Sequence, residues 1–194
     1  MDNRLNTKDL ISIGVFTALY FVIVFLMAFI GYVPLLMVIM PALCALVGAI
    51  SFMLFLTRVK KFGMVTIMGT LLGLITFLLG RPWLSILFGI CAGLLADLFL
   101  KTADYASVKK SRLGCGIFSL WIVGMALPMF FGYRDAYLES LRPGYGDAYV
   151  EAITRYTPAW MFWVLIATIF VGGLIGAFVG SAILKKHFVK AGMA

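Results

Sequence analysis

The chain has 194 residues, of which 63% are hydrophobic and only 12% are charged, and its formal net charge is +8. A soluble domain carries about a quarter charged residues, so this composition excludes an ordinary soluble protein and indicates an integral membrane protein. The positive charge does not indicate nucleic-acid binding, because no basic stripe interleaved with aromatic residues lies outside the apolar segments.

Apolar runs alternate with short polar connections along the whole chain. Six runs can be distinguished, at residues 10–31, 33–56, 62–79, 83–100, 113–131 and 158–184. A bilayer core of roughly 30 Å needs about 20 apolar residues per helix. Most runs reach that length, and 62–79 and 83–100 are near its lower limit. We therefore predict an all-α membrane protein with six transmembrane helices in one bundle, as a single integral membrane domain over residues 1–194.

Lysine and arginine are distributed unevenly between the connections. Twelve lie in the N-terminus, the 57–61 turn, the 101–112 loop and the C-terminal tail, whereas only Arg81, Arg134, Arg142 and Arg155 lie in the other connections. Basic connections stay on the cytoplasmic side of a membrane. The pattern therefore predicts that both termini are cytoplasmic and that the chain crosses the cell membrane several times.

Two local features stand out in the first two helices. Gly14 and Ala18 lie four residues apart, and small residues at this spacing form a flat stripe against which another helix can pack. The spacing does not say whether that partner belongs to the same bundle or to another chain. Pro41 is expected to bend or break the second helix, because proline removes a backbone hydrogen bond.

Asp97 is the one acidic residue clearly inside an apolar run. We expect it to pair with Lys101, one helical turn later. A carboxylate inside a membrane is a functional candidate by default. Here it lies near the edge of the span and without other ionisable groups, so a structural role is favoured.

The connection between the fifth and sixth helices, at about 132–157, is long, aromatic and charged. Arg134 to Leu141 can form one short amphipathic helix, and Asp147 to about Tyr156 a second. The sequence Pro143-Gly144-Tyr145-Gly146 between them predicts a turn. Two such helices on the outer membrane surface would form a lid.

The predicted outer face gathers side chains that suit a small-molecule ligand. Aromatic rings stack on planar ligands, and arginines bind carboxylate or phosphate groups. The alternative interpretation is the belt of tryptophan and tyrosine that membrane proteins carry at the interface. We predict a substrate-binding site formed by Arg81, Trp83, Tyr133, Arg134, Asp135, Tyr145, Tyr156 and Trp160.

Enzymatic function is not expected. His187 is the only histidine and lies in the C-terminal tail, so neither a histidine-based catalytic triad nor a histidine metal cluster can be formed. The chain also lacks a phosphate-binding Gly-Lys-Ser/Thr loop, so it does not hydrolyse ATP itself. We predict no catalytic residue, no metal site and no cofactor of its own.

The chain resembles the S components of energy-coupling factor (ECF) transporters in its size, its six predicted helices and its small-residue stripe on helix 1. Several segments are similar to the Trep_Strep group of S components: LNTKDLISIGVFTALYFVI, FMLFLTRVKKFGMVTIMG, GLLADLFLK, YGDAYVEA and the tail LKKHFVKAGMA. Together they extend over nearly the whole chain.

This resemblance implies a prokaryotic importer subunit that captures a vitamin or cofactor-like micronutrient at the outer face. The implied partners are a transmembrane coupling protein, which would dock on Gly14 and Ala18, and two ABC ATPase subunits. The glycine departs from the Ala-x-x-x-Ala that is frequent in the family. Cobalamin, haem or another tetrapyrrole, and an iron–siderophore complex are all open as substrates. A stand-alone secondary transporter coupled through Asp97, and a membrane enzyme using the 134–156 loop, are the alternatives.

Overall fold

The computed structural model describes residues 5–58 and 61–190, with side chains as far as residue 186. Every regular element in these ranges is helical, as predicted. The α-helices are α1 (Thr7–Ala28), α2 (Pro34–Arg58), α3 (Met64–Leu78), α4 (Leu84–Lys101), α5 (Val108–Ser119), α6 (Val123–Ala126), α7 (Arg134–Tyr145), α8 (Asp147–Tyr156) and α9 (Met161–Lys190). Three short 3₁₀ segments continue or join them, at Phe29–Tyr32, Leu120–Ile122 and Leu127–Met129.

Five helical stretches are long and apolar enough to cross a membrane. They are Thr7–Tyr32, Pro34–Arg58, Leu84–Lys101, Val108–Met129 and Met161–Lys186. The remaining apolar helix, α3, has 15 residues. At 1.5 Å per residue it rises about 22 Å, which is shorter than the roughly 30 Å of a bilayer core. The described chain therefore has five candidate spans and one shorter apolar helix, and the sixth span stays a prediction.

The beginnings of α1 and α2 follow from their sequences. Asn6 caps α1 in a reciprocal capping box: its side chain accepts from the backbone N–H of Asp9, and the Asp9 carboxylate accepts from the backbone N–H of Asn6. Pro34 occupies the first position of α2, where its missing N–H costs nothing. Pro41 does not break α2, because this helix is held on several sides by α1, α5, α8 and α9.

The centre of the bundle is aromatic. The Tyr20 ring packs edge-on against Phe118 and Trp121, and Phe52 stacks on Phe118 with ring centroids 4.4 Å apart. All four side chains are fully buried, and the indole N–H of Trp121 donates to the Tyr20 hydroxyl at 3.5 Å. This cluster joins α1, α2 and α5 at mid-bundle, and it separates the two ends of the molecule.

Polar contacts show which helix ends lie together. Lys61 pairs with Asp9 at 2.6 Å, Lys110 donates to Thr102, and Arg112 donates to Ser181 at 2.9 Å. These contacts gather the start of α1, the α2–α3 and α4–α5 connections and the last part of α9 at one end, which we call the basic end. Gly31, Arg81 and the α7–α8 pair lie at the opposite end. The assignment of the basic end to the cytoplasm stays a prediction.

The connection before α9 contains two short helices, as predicted, but the first is longer than expected. It runs from Arg134 to Tyr145 and includes Pro143 and Gly144, which the sequence places in a turn. The turn falls instead at Gly146, whose φ of 82° ends α7 before α8 begins at Asp147. Arg142 forms ion pairs with Glu139 and Asp147, and so links the two helices across this turn.

Candidate functional site

Asp97 is fully buried near the basic end and caps a neighbouring helix. One carboxylate oxygen accepts from the backbone N–H of Gly63 at 3.0 Å, and from the backbone N–H and the hydroxyl of Thr66 at 2.9 and 2.8 Å. The other accepts from the Tyr105 hydroxyl at 2.9 Å. The N-terminus of α3 therefore receives its capping carboxylate from α4, and this favours negative charge there.

The predicted pair between Asp97 and Lys101 is not formed. The Lys101 ammonium lies 4.9 Å from the centroid of the Phe62 ring instead, because the carboxylate points away from it towards the first turn of α3. In the loop after α4, burial and the negative charge of Asp97 raise the pKa of Tyr105 above its usual range. The hydroxyl of Tyr105 therefore stays protonated and remains a donor to Asp97.

A cavity of about 230 Å³ lies at the opposite end of the bundle, between α1, α2, the end of α3 and the α6 region. Its walls are formed mainly by aromatic, methionine and aliphatic side chains. The lining residues are Phe21, Val24, Phe25, Ala28, Met37, Met40, Pro41, Thr76, Leu79, Arg81, Ile122, Met125, Ala126 and Met129. Mostly apolar walls with few polar groups are typical of small-molecule sites.

The turn between α3 and α4 brings Arg81 into this cavity. Gly80 adopts a φ of 85°, a left-handed conformation that glycine takes without strain. The turn lets the backbone N–H of Arg81 donate to the carbonyl of Thr76 at 3.0 Å. Residues 76 and 81 therefore both face the cavity at the end of α3. Thr76 uses its own hydroxyl within α3, where it donates to the carbonyls of Leu72 and Gly73.

Among the described residues, Arg81 is the only charged one that lines the cavity. None of the carboxylates in the described ranges lies within ion-pair distance of it. Its charge acts on two tyrosines of the α7–α8 pair. Burial raises the pKa of Tyr137 while the charge of Arg81 opposes that rise, and burial raises the pKa of Tyr149 to about 12 against the same opposing charge. The Tyr137 hydroxyl is buried, and its interaction with the Arg81 side chain also opposes the rise.

The helices α7 and α8 cover this end of the bundle and are attached to it by tyrosines. The Tyr149 hydroxyl donates to the carbonyl of Gly31, which follows α1. Tyr145 stacks on Tyr149 with ring centroids 4.5 Å apart and also contacts Tyr32 at 5.5 Å. Val150 and Ile153 of α8 are buried. We call this arrangement the tyrosine latch, defined by Tyr32, Tyr145, Tyr149 and Gly31.

The residues predicted for the substrate site do not all come together. Arg81 lines the cavity, whereas Trp83 and Trp160 are 57% and 65% exposed and lie outside its lining. Tyr133, Asp135 and Tyr156 are also exposed outside it, and Tyr145 belongs to the latch. Arg134 joins α7 to the end of α8 by donating to the carbonyl of Thr154 and the hydroxyl of Thr157, both at 3.2 Å.

The cavity walls that sequence reasoning missed come from inside the apolar runs. Phe21, Phe25 and Ala28 follow helical spacing on α1, as do Met37, Met40 and Pro41 on α2. Spacing of three or four residues marks one helical face, but lipid-facing and cavity-facing residues are equally apolar in a membrane protein. Pro41 was the available signal, because a proline within a span is the kind of irregularity that accompanies a cavity.

The Gly14/Ala18 stripe faces away from the bundle. Ile13, Thr17 and Tyr20 are buried on the inner face of α1, whereas Gly14 and Ala18 are exposed. A Cβ atom added at Gly14 would meet no atom within 4 Å. The stripe is therefore not used for packing within the described chain, and α1 is the least buried of the five candidate spans.

Comparison with known proteins gives one match. The family model of Trep_Strep, described as a hypothetical bacterial integral membrane protein, matches residues 7–190. No match was found among curated proteins or among solved structures. The match extends from the first residue of α1 to the last residue of α9, and it agrees with the several long apolar helices of the bundle. The chain therefore belongs to the Trep_Strep family of bacterial integral membrane proteins.

Proposed function

We propose that this chain is the substrate-binding S component of an ECF-type importer. It captures a small micronutrient at the end of the bundle that carries Arg81, and partner proteins supply the energy for its release inside the cell. The observation that carries the proposal is the mostly apolar cavity lined by Arg81, which has no ion pair with a carboxylate in the part of the chain that the structure describes. A half-buried guanidinium beside apolar walls can form charge-assisted hydrogen bonds with an anionic ligand.

The outer face of α1 supports the proposal independently. A transmembrane helix with an exposed small-residue stripe can approach a second helix closely, and here the stripe lies on an exposed face of α1 beside its buried residues. The proposed partner on Gly14 and Ala18 is a transmembrane coupling protein, and two ABC ATPase subunits complete the importer. Binding and docking then use different surfaces of one chain.

A stand-alone secondary transporter is less well supported. Such a transporter needs an ionisable group that gains and loses a proton or cation during the cycle. Asp97 is the candidate, but its carboxylate already accepts four hydrogen bonds that cap α3 and tie down Tyr105. These contacts favour a fixed structural role.

Co-purification tests the proposal without knowledge of the ligand. The tagged chain is expressed in its native host, solubilised in mild detergent and purified, and the co-eluting proteins are identified by mass spectrometry. We expect one further membrane protein and ATPases with a Gly-x-x-x-x-Gly-Lys-Ser/Thr loop. Gly14→Leu and Ala18→Leu should lose these partners, because a bulky side chain removes the flat surface.

The matched control is Ala182→Leu, which enlarges an exposed alanine on α9. This variant should retain the same partners at wild-type yield. The proposal is contradicted if the wild-type chain brings down no ATPase, or if Gly14→Leu and Ala182→Leu retain the same set equally well.

A further inference from the structure

We infer that the ligand of the Arg81 cavity is a compact aromatic or similarly apolar molecule that carries one carboxylate. This inference rests on the proposed function and specifies its substrate class. It differs from the tetrapyrroles and siderophore complexes that the sequence leaves open. The size, the charge and the position of the cavity each contribute a separate argument.

Size limits the ligand most strongly. An apolar cavity of about 150 Å³ holds a benzene molecule. The cavity here is about 230 Å³, so it has room for a molecule roughly one and a half times as large as benzene. Pockets that enclose drug-sized ligands measure about 300–1,000 Å³. A ring with a short side chain fits this space, whereas a tetrapyrrole does not.

The chemistry of the walls favours an apolar body with a ring. Phe21 and Phe25 line one side, and four methionines, Met37, Met40, Met125 and Met129, line much of the remainder. Methionine side chains adapt to irregular shapes, and their sulfur atoms make favourable contacts with aromatic ring edges. The Thr76 hydroxyl already donates within its own helix, so it does not demand a second polar group on the ligand.

Arg81 supplies the one charge. A guanidinium presents paired N–H donors that match the two oxygens of a carboxylate, and no protein carboxylate in the described ranges occupies them. One arginine balances one negative charge, so a ligand with a single carboxylate leaves the site neutral. A neutral ligand would not use the charge of the half-buried Arg81, and a dianionic ligand would bring a second, unpaired negative charge into the mostly apolar cavity.

The position of the cavity suggests how such a ligand enters. Phe25 and Leu79 line the cavity and are 49% and 60% exposed, so the open edge lies between α1 and the end of α3. No residue of α7 or α8 contributes to the lining. We place the entrance on the side of the bundle, where an amphiphile can approach with its carboxylate at the level of Arg81 and its apolar body towards the helices.

Equilibrium binding to the purified full chain tests the inference. The probes are cinnamate, cinnamyl alcohol of nearly equal size, protoporphyrin, and phosphatidylglycerol as a competitor, measured by calorimetry in detergent. Cinnamate should bind at least about tenfold more tightly than cinnamyl alcohol, because it makes charge-assisted hydrogen bonds with Arg81. Arg81→Gln should remove this preference, and Arg155→Gln, an exposed arginine outside the cavity, should preserve it.

Comparison of cinnamate with cinnamyl alcohol corrects for partition of the probes into detergent. An unchanged elution profile and melting temperature show that the Arg81→Gln variant is folded. Equal affinity for acid and alcohol, tighter binding of protoporphyrin, displacement of cinnamate by phosphatidylglycerol, or no binding of cinnamate overturns the inference. None of these results contradicts the importer proposal, because the co-purification experiment tests that proposal without a ligand.

Discussion

The carboxylate of Asp97 shows how one charged residue is accommodated within a membrane bundle. A buried charge is costly unless hydrogen bonds satisfy it, and here four donors do so, three at the start of α3 and one in the loop after α4. The sequence predicted a structural role but the wrong partner. Spacing along one helix suggested Lys101. Three of the real donors belong to Gly63 and Thr66, 34 and 31 residues away in the chain, and the fourth is the hydroxyl of Tyr105, eight residues away. Spacing within α4 contains no information about them.

Removal of this carboxylate should destabilise the protein without abolishing ligand binding. We expect Asp97→Ala to lower the free energy of unfolding by at least about 2 kcal/mol, since buried donors lose their acceptor. Asp97→Asn should cost less, because its amide oxygen can still accept from Gly63 and Thr66. Thermal unfolding and cinnamate titration measure the two effects. A folded Asp97→Asn variant that no longer binds any probe would point to a direct role for this residue.

Arg81 was predicted to be a binding residue, and the structure places it in the cavity, but its predicted companions mostly lie elsewhere. Trp83 and Trp160 are exposed side chains of the kind that an interfacial belt contains. Sequence reasoning could identify the rare charge, because charges near a membrane are few. It could not separate aromatic residues that bind a ligand from those that face lipid, since both are apolar and lie at similar depth.

At the scale of elements, the close packing of α3 against α4 depends on glycine. A Cβ atom at Gly69 would lie 2.3 Å from the carbonyl oxygen of Gly89. This approach holds the end of α3, and therefore Thr76 and Arg81, in place beside the cavity. The glycine spacing in this run predicts close packing in lipid, and the structure shows that α4 is the partner.

Enlargement of Gly69 should separate these helices. We expect Gly69→Ala to lower the free energy of unfolding by about 1–3 kcal/mol, the usual cost of overpacking, and to weaken cinnamate binding through Arg81. The control is Gly14→Ala, where the added Cβ meets no atom and stability should not fall. Chemical denaturation of both variants gives the comparison, and equal stabilities would contradict the packing described for α3 and α4.

The tyrosine latch attaches α7 and α8 to the end of α1. Tyr149→Phe removes the hydrogen bond to Gly31 but keeps the ring, so amide hydrogen exchange in α7 and α8 should become about two- to tenfold faster. Tyr145→Phe is the matched control, because the hydroxyl of Tyr145 has no partner among the described residues while its ring keeps the stack. Equal acceleration in both variants would show that the Tyr149 hydroxyl does not attach the two helices.

Helix boundaries within the membrane were easier to predict than their irregularities. Most apolar runs correspond to long helices, because a segment in lipid must satisfy its own backbone hydrogen bonds. The turn predicted at Pro143–Gly144 was wrong, and α2 continues through Pro41. At Pro41 the neighbouring helices hold α2 together. Pro143 and Gly144 are exposed, and there Arg142 forms ion pairs with Glu139 and Asp147.

At the scale of the whole molecule, the separation of charge predicts orientation. In a cysteine-free background, Ser140→Cys on α7 should react with a membrane-impermeant maleimide in sealed cells, because the end with fewer basic residues is predicted to face outward. Lys109→Cys at the basic end should react only after the cells are permeabilised. Labelling of residue 109 in sealed cells, with protection of residue 140, would reverse the orientation and place the cavity on the cytoplasmic side.

The central claim is that this molecule captures its ligand and docks on its partner through separate surfaces. The most direct measurement determines cinnamate binding and co-purifying ATPase side by side for the wild-type chain, Arg81→Gln and Gly14→Leu. We predict that Arg81→Gln loses the preference for the acid and keeps the ATPase, whereas Gly14→Leu keeps the preference and loses the ATPase. If either folded variant loses both properties together, the two surfaces are not independent and the account is wrong.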